Sequence, residues 1–555
     1  MSIQSILQSA RQSFSTFVTK TIDGKYKSEV TIIVIAVFIV ISLFSFGPNL
    51  DADWWIIDDH EIQVFSPTIK PMGFSQIIPT LLTKTELNPD STLPRFRPVY
   101  YFLRLIETRL WNSLGPQGWY GARIVIFVFM LIVFFAFFAK LHGQWVGFLL
   151  SLSISSFPFW TDIFSRLGPS EVYCTIGVAI FLLGVISHLN HRYTVLSWIA
   201  LFLGVVISVG SKETMGILIV PFAVDLYLYL RKKSGLAILP IVFFVLSIAW
   251  LVWIYTVVFT RIQQYGGDVY GNSGALAERF DLVFNHMAQQ WPFYGLIGVC
   301  ILVGLLGLVL SKDQKRKDLN RVLFLAAFSI FLMAFSQEVF YSGDIWGRYN
   351  YPYGLRLPLL ASLLIYYGQQ ILIIHEKIRM RAVLLFIAIL AIAVILINPA
   401  DWHSLNASSK VNVNKTNYFM TNIQDAAFYL STNPDAGLII YGNDAGSDYE
   451  TAASYTRFLR SVGVSNPFYI LRNPPADFET GLVSYDIGLE KELMRFSTEG
   501  NAEWTVSPLA NFLENPTKCL LLTLNIDHPA PIQCDDNLDG DVIIEYEGLY
   551  KRIPN

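Results

Sequence analysis

Charge is scarce in this chain. Across 555 residues, Asp, Glu, Lys and Arg together make up 15%, while 53% are hydrophobic and 15% aromatic. So little charge over that length excludes an ordinary soluble enzyme and points to a polytopic membrane protein. The formal net charge is −3, and without a basic excess no nucleic-acid partner is expected. No internal repeat or low-complexity tract is present. A cleavable signal peptide is also missing: the first apolar run begins too late and leads straight into a multi-span pattern. Cysteines number four. Cys174 and Cys300 fall in apolar runs and read as small fillers. Cys519 and Cys534 fall in a polar tail on the expected oxidising side, where a disulfide is predicted against the alternative of two free thiols.

Apolar runs near the ~20 residues that span a bilayer recur through the first 400 positions. They are Val30–Phe46, Ile124–Ala139, Trp145–Trp160, Val172–Leu189, Val195–Val209 and Met215–Leu230, then Leu236–Phe259, Trp291–Leu310, Val322–Phe335, Leu355–Ile374 and Ala382–Ile397. About eleven membrane helices are therefore expected, with a split or re-entrant segment able to shift the count by one. Lys20, Lys25 and Lys27 precede the first run. Arg231 to Lys233, Lys312 to Arg321, and Lys377, Arg379 and Arg381 fall in alternate short loops. The basic loops predict a cytoplasmic amino terminus, and an odd helix count places the carboxyl terminus outside the cell membrane. Three parts follow: a cytoplasmic segment 1–29, a membrane domain 30–398 and an external domain 399–555. Long external loops are expected at about 47–123 and 260–290.

The tail carries 21 acidic and 10 basic residues. "GLIIYGN" and "KCLLLTLN" read as buried strands, and "DVIIEYEGLY" as a strand near an edge. "NIQDAAFYL" and "DYETAASYTRFLRS" read as amphipathic helices, so an α/β domain is predicted.

Charges near membrane depth are costly, which makes those at the expected outer face functional candidates. "DWWIIDDHEI" follows the first run and contains Asp53, Asp58, Asp59, His60 and Glu61. "PRFRPVYYFLR" brings Arg95, Arg97 and Arg104. "SRLGPSEVY" contains Arg166 and Glu171, "GSKETMG" Lys212 and Glu213, and "YSGDIWGRYNYPYGLR" Asp344, Arg348 and Arg356. Arginine and lysine suit a phosphate, and a carboxylate can take the proton of an attacking hydroxyl. Together they describe group transfer from a lipid phosphate to an alcohol.

In the order and shared side of "DDHE", "RPVYY", "RLGPSE", "SKET" and "GRYNYP", the first 400 residues resemble the GT-C superfamily of polyprenyl-phosphate-sugar-dependent glycosyltransferases. Protein O-mannosyltransferases, lipid A aminoarabinose transferases and phage-type O-antigen glucosyltransferases belong there. The resemblance implies a GT-C-like α-helical polytopic membrane fold and inverting transfer of a monosaccharide, with a first-loop aspartate as base. On that reading Asp58 or Asp59 is the base and its neighbour or Glu61 orients the acceptor. Arg97, Arg104, Arg166, Lys212 and Arg348 are candidates for the donor phosphate, and Glu171 and Asp344 for acceptor contacts. Trp54, Trp55, Ile56 and Ile57 would seat the loop at the interface. The partners implied are a polyprenyl-phosphate-linked sugar, an envelope glycan or glycolipid of O-antigen or lipopolysaccharide type, and membrane lipids. No metal ligand is assigned, and a divalent metal is left open.

Plainer readings stand beside these. Asp58 and Asp59 could form a solvated turn, and His60 a peripheral side chain, since one histidine beside acids is weak evidence for a metal. Arg95, Arg97 and Arg104 could anchor interfacial helices. Arg166, Glu171, Lys212 and Glu213 could form internal salt bridges. Asp51-Ala-Asp53 matches a short nucleotide-sugar pattern on the wrong side of the membrane and is rejected. Asn406 and Asn414 head glycosylation sequons that matter only in a glycosylating host. Two other functions compete. An O-antigen polymerase or ligase would consume a pyrophosphate-linked glycan, and a transporter or flippase would show inverted repeats with polar residues at mid-membrane.

Overall fold

The computed structural model describes residues 27–55, 59, 62, 73–83, 85–88, 95–232, 238–265, 276–341, 345–374, 399–443, 446–473, 518–524, 533–539, 543–546 and 549–552. Helix α1 (Lys27–Phe46) stops where Gly47-Pro48 opens a 3-10 turn that runs to Asp51. Short α2 (Ile77–Thr83) and α3 (Pro98–Trp111) follow, then α4 (Gly115–His142). Next come α5 (Gln144–Ser155), α6 (Trp160–Phe164), α7 (Glu171–Leu189) and α8 (Val195–Ser211). A 3-10 turn, Glu213–Leu218, then leads into α9 (Ile219–Lys232) and α10 (Ile238–Tyr265). The membrane part continues with α11 (Leu276–Gln289), α12 (Trp291–Leu310), α13 (Gln314–Tyr341) and α14 (Arg356–Ile374). Among the described residues, seven helical stretches are long and apolar enough to cross a membrane, while α5 and α8 are apolar but shorter. Nine of the eleven expected runs fall on described helices, a tenth, Trp145–Trp160, is divided between two, and Ala382–Ile397 lies outside the described residues.

Burial in this part runs opposite to a soluble protein. On α1, Val30, Val34 and Phe38 recur every four residues and pack inward, while Ile32, Ile33 and Val40 face out. Val125, Leu196, Val309 and Leu310 are similarly exposed, the pattern expected where lipid is the solvent. Helices α7 and α8 approach closely because glycines meet across them. A Cβ on Gly204 would come within 2.7 Å of the Gly177 carbonyl oxygen, the small-residue contact that lets membrane helices pack backbone to backbone.

Two expected elements differ. Trp145–Trp160, read as one span, is split: α5 ends at Ser155 and a turn leads to α6. Pro158 has no N–H to continue the ladder, and the Ser153, Ser155 and Ser156 hydroxyls each donate to a carbonyl three residues back. The first long loop is also shorter than the run boundaries suggested, since α4 begins at Gly115 rather than near Ile124.

The tail opens with α15 (Pro399–Thr432), a 34-residue helix. Its buried residues Leu405, Ser409, Asn412, Thr416, Phe419, Ile423, Ala426 and Leu430 alternate steps of four and three, one continuous face of a helix. Ser409 and Asn412 on the first half dock against Asn49 and Ser165 of the bundle. Phe419 to Leu430 on the second half join the core under the sheet. That sheet holds β1 (Gly437–Asn443), β2 (Phe468–Asn473), β3 (Cys519–Thr523) and β4 (Asp536–Asp539) in the order β2-β1-β3-β4, all parallel. Helix α16 (Gly446–Ser461) makes the crossover from β1 to β2. Leu438, Ile440, Leu520 and Leu522 face the helices, while Ile439, Tyr441, Leu471 and Leu521 pack on the other face. Both faces are covered, as parallel strands require. Cys519 and Cys534 form a disulfide, and Cys174 and Cys300 are free and buried. "DVIIEYEGLY", read as a single strand, supplies β5 (Ile543–Tyr546) and the start of β6 (Leu549–Arg552), paired antiparallel as a hairpin.

Candidate functional site

Because successive helices alternate direction, one end of the bundle gathers the end of α1, the start of α4, the segment between α5 and α7, the α8 terminus, the end of α13 and the start of α14. Two adjoining polar groups form there.

The first surrounds the segment after α1. Trp54 is buried against Trp119, Tyr120 and Leu167. Asp59 is wholly buried; its Oδ2 accepts from the Trp55 N–H at 2.8 Å and its carbonyl from the Ile62 N–H at 2.9 Å. Asp53 Oδ1 accepts from the Trp54 N–H at 2.8 Å, and the Asp53 N–H donates to Thr416 Oγ1 of α15 at 2.9 Å. Burial pushes the Asp53 carboxyl above the usual aspartate range, and the Trp54 N–H partly offsets this. Asn412 Nδ2 donates to the Tyr120 hydroxyl at 3.3 Å. Asp59, Arg166 and Asp53 all act electrostatically on that hydroxyl.

The second group centres on Lys212, which ends α8 in an extended conformation. Its ammonium is paired with Glu171, the first residue of α7. It also stands over two aromatic rings, 4.6 Å from the centroid of Tyr349 and 5.7 Å from that of Tyr341. Arg348 acts on both members of the pair. It lies in the 3-10 turn Gly347–Asn350, which Gly347 opens with φ +49°. A Cβ at Gly347 would also strike Asp162 of α6. Asp162 therefore bears on Gly347 from one side and on Lys415 of α15 from the other, which makes the two groups neighbours.

Other candidates are placed differently. Arg97 forms an ion pair with buried Glu86 at 2.7 Å and lies over the Tyr100 ring at 5.0 Å. Arg104 is wholly buried and donates from Nη1 to the carbonyls of Leu167 and Gly168 at 3.0 and 3.2 Å. Arg104 thereby braces the segment that leads from Arg166 to Glu171. Arg123 joins it through a bidentate pair with Glu107 at 2.6 and 3.0 Å, and the Tyr173 hydroxyl donates to Glu107. Arg95 offers its carbonyl to Arg261 at 2.8 Å. Arg356 lies 3.5 Å over the Tyr353 ring, beside a buried Glu338 that also accepts from the Tyr353 and Tyr294 hydroxyls and pairs with His286. Asp58, His60, Glu61 and Asp344 lie outside the described residues. Among the described residues, no three His, Cys, Asp or Glu side chains converge in a way that could hold a metal.

The structure thus brings Asp53, Asp59, Arg166, Glu171, Lys212 and Arg348 to one end, and adds Tyr120, Asp162 and Lys415, which the sequence reading did not single out. Gly347 was the available signal for Asp162, since a glycine inside an aromatic run marks a turn or a close approach. Lys415 carried no signal beyond flanking a buried helical face. Chemically, one group offers a buried carboxylate and an arginine that both act on the Tyr120 hydroxyl. The other offers two cations with tyrosine walls, suited to a charged phosphate and the apolar chain behind it.

No family model matches the chain, and no curated protein matches it. Among solved structures, the chain is similar to ArnT from Cupriavidus metallidurans. Bound to undecaprenyl phosphate, that protein aligns at 14% identity and a TM-score of 0.43, covering 87% of this chain and 90% of that one. Its apo state aligns at 14% and 0.45, covering 89% and 92%. The Archaeoglobus fulgidus oligosaccharyltransferase in its apo form aligns at 12% and 0.41, covering 81% and 65%. Scores this low leave activity and substrate to the residues themselves.

Proposed function

We propose that the protein is a GT-C-type membrane glycosyltransferase that moves a monosaccharide from a polyprenyl-phosphate donor to a hydroxyl of a cell-envelope glycan or glycolipid at the outer face of the membrane. What supports this reading is the gathering, at one end of the bundle, of the buried Asp59 carboxylate and Arg166, which both act on the Tyr120 hydroxyl, with the Lys212 and Arg348 cations. The acceptor oxygen attacks the anomeric carbon while the bond from that carbon to the phosphate oxygen breaks on the opposite face, inverting the configuration. The acceptor proton passes to an aspartate of the 58–59 pair, and the electron pair of the broken bond leaves with the lipid phosphate. An aspartate near its ordinary pKa of ~3.9 is a weak base toward an alcohol, so proton transfer is late. Lys212 and Arg348 neutralise the departing phosphate, while Glu171 and the Tyr349 ring hold the lysine in place. Asp59, which accepts from the Trp55 N–H, also sets the shape of the segment that carries Asp58.

Substituting Asp58→Asn and Asp59→Asn separately tests this. Transfer from an undecaprenyl-phosphate sugar is followed by mass spectrometry of envelope glycans and in purified protein. The base variant should lose about 100- to 10,000-fold in turnover with donor binding retained. Full transfer in both folded variants would remove the proposed base.

A further inference from the structure

Glu338 lies in the last turn of α13 and is wholly buried. Its two oxygens serve different elements. Oε2 meets His286 Nδ1 of α11 at 2.6 Å, while Oε1 accepts from the Tyr353 hydroxyl at 2.6 Å and the Tyr294 hydroxyl at 3.1 Å. Leaving either oxygen of a buried carboxylate unmet is costly, so the elements bonded to it are held at fixed spacing.

On the outer side the partner is a surface helix. In α11, Phe280 and Phe284 are exposed on one flank and Asp281, Asn285 and Gln289 on another, while Val283 is buried and His286 pairs with Glu338. An amphipathic helix of this pattern, joined to membrane helices at both ends, lies along the bilayer surface. On the inner side the partner is the stretch that carries Arg348 and Tyr349. Gln337 Nε2, next to Glu338, donates to the carbonyls of Tyr349 at 2.9 Å and Tyr351 at 3.4 Å. The Tyr341 and Tyr349 rings pack with centroids 4.9 Å apart, and the Lys212 ammonium stands over both. Gln337, Glu338 and Tyr341 thus share one side of α13 and hold the stretch from Tyr349 to Tyr353 beside Lys212.

We propose that Glu338 is a positioning residue. By holding His286 with one oxygen and Tyr353 with the other, it makes the placement of α11 set the turn that presents Arg348 and Tyr349 to the Lys212 group. That this group binds a donor phosphate rests on the transferase reading above; the link from α11 to the turn does not.

The test is hydrogen exchange of the full-length protein in detergent, followed by mass spectrometry. The turn reports through the N–H groups of Tyr349, Tyr351 and Leu355, which donate to the carbonyls of Trp346, Arg348 and Pro352. His286→Leu removes the nitrogen at Oε2, whereas the amide of His286→Asn places a donor where Nδ1 stood. Exchange in the turn should speed up about tenfold in His286→Leu, stay at the wild-type rate in His286→Asn, and leave α7 unchanged in both. Tyr353→Phe should match His286→Leu, and the double variant should add little, because both act through one carboxylate. Binding of undecaprenyl phosphate should weaken about five- to tenfold in His286→Leu and recover in His286→Asn.

Unchanged exchange in His286→Leu, equal loosening in His286→Asn, or a matching rise in α7 overturns the link. A looser turn with undiminished undecaprenyl-phosphate binding, where Lys212→Ala does weaken that binding, overturns the positioning role. Undiminished binding in Lys212→Ala itself counts against the transferase reading and leaves the exchange result as it stands.

Discussion

The two ends of the helical bundle handle charge in opposite ways. At one end, His188 is bracketed by Asp225 at 2.6 Å and Ser197 at 2.8 Å, and His142 by Ser362 at 2.7 Å and Gln369 at 3.3 Å. Arg231 and Arg321 both pair with Asp318, at 2.9 and 2.8 Å. Each is a small set of complementary partners that ties together adjacent helices. At the other end, Lys212 shares its surroundings with Arg348, and Lys415 with Arg166, like charges held together by elements distant in sequence. A protein selected only for stability would not crowd cations this way. Complementary pairs such as Glu171–Lys212, Arg97–Glu86 and Arg123–Glu107 occur at this end too, and what sets it apart is the second cation placed beside such a pair.

The largest effect should come from splitting the buried Glu171–Lys212 pair. Glu171→Gln leaves an ammonium buried without its counterion, which costs about 3–5 kcal/mol. Adding Lys212→Met should restore much of the melting temperature without restoring transfer. Asp225→Asn at the opposite end should lower stability yet leave transfer per folded molecule intact; loss of transfer there would erase the distinction between the ends. Next, Cys519→Ser opens a loop of 15 residues and should cost the tail about 3 kcal/mol, read as faster proteolysis of the sheet under non-reducing conditions while the bundle remains resistant.

A pH effect follows from Lys415. Its ammonium lies at about 8 in the folded chain against an ordinary 10.5, so between those values the unfolded chain holds more protons at this position. Stability contributed there rises with pH across that window. Wild type should gain melting temperature over Lys415→Gln from pH 8 to 10. The smallest effect belongs to Asp318→Asn. With Asp318 52% exposed and Arg231 36% exposed, this pair should contribute about 0.5 kcal/mol or less, measurable by thermal melts at low and high salt.

Much of the bundle was legible because a membrane helix announces itself by apolar length alone, with no need for a partner. The gathering of Arg166, Glu171, Lys212 and Arg348 was legible from the alternation of helix direction. Individual roles were not. The contacts of Arg104 with the backbone carbonyls of Leu167 and Gly168 were not foreseen, because every residue possesses such groups and no sequence marks them. Only the stretch "NIQDAAFYL" of α15 was foreseen, because the preceding turns bury Ser409, Asn412 and Thr416, polar residues whose inward face carries no hydrophobic period. β2, "FYILRN", escaped notice because a short apolar run between turns reads equally as helix or strand. "DVIIEYEGLY" misled because a hairpin alternates just as a single strand does.

Helix α15 joins bundle and sheet without a break, a rod about 50 Å long. A continuous rod fixes both the height of the sheet and the direction it faces, and the two can be changed independently. Inserting seven residues midway would lift the sheet by about 10 Å with little rotation, whereas a single inserted residue would swing it by about 100°. The placement of the sheet relative to the bundle is therefore set by helical phase.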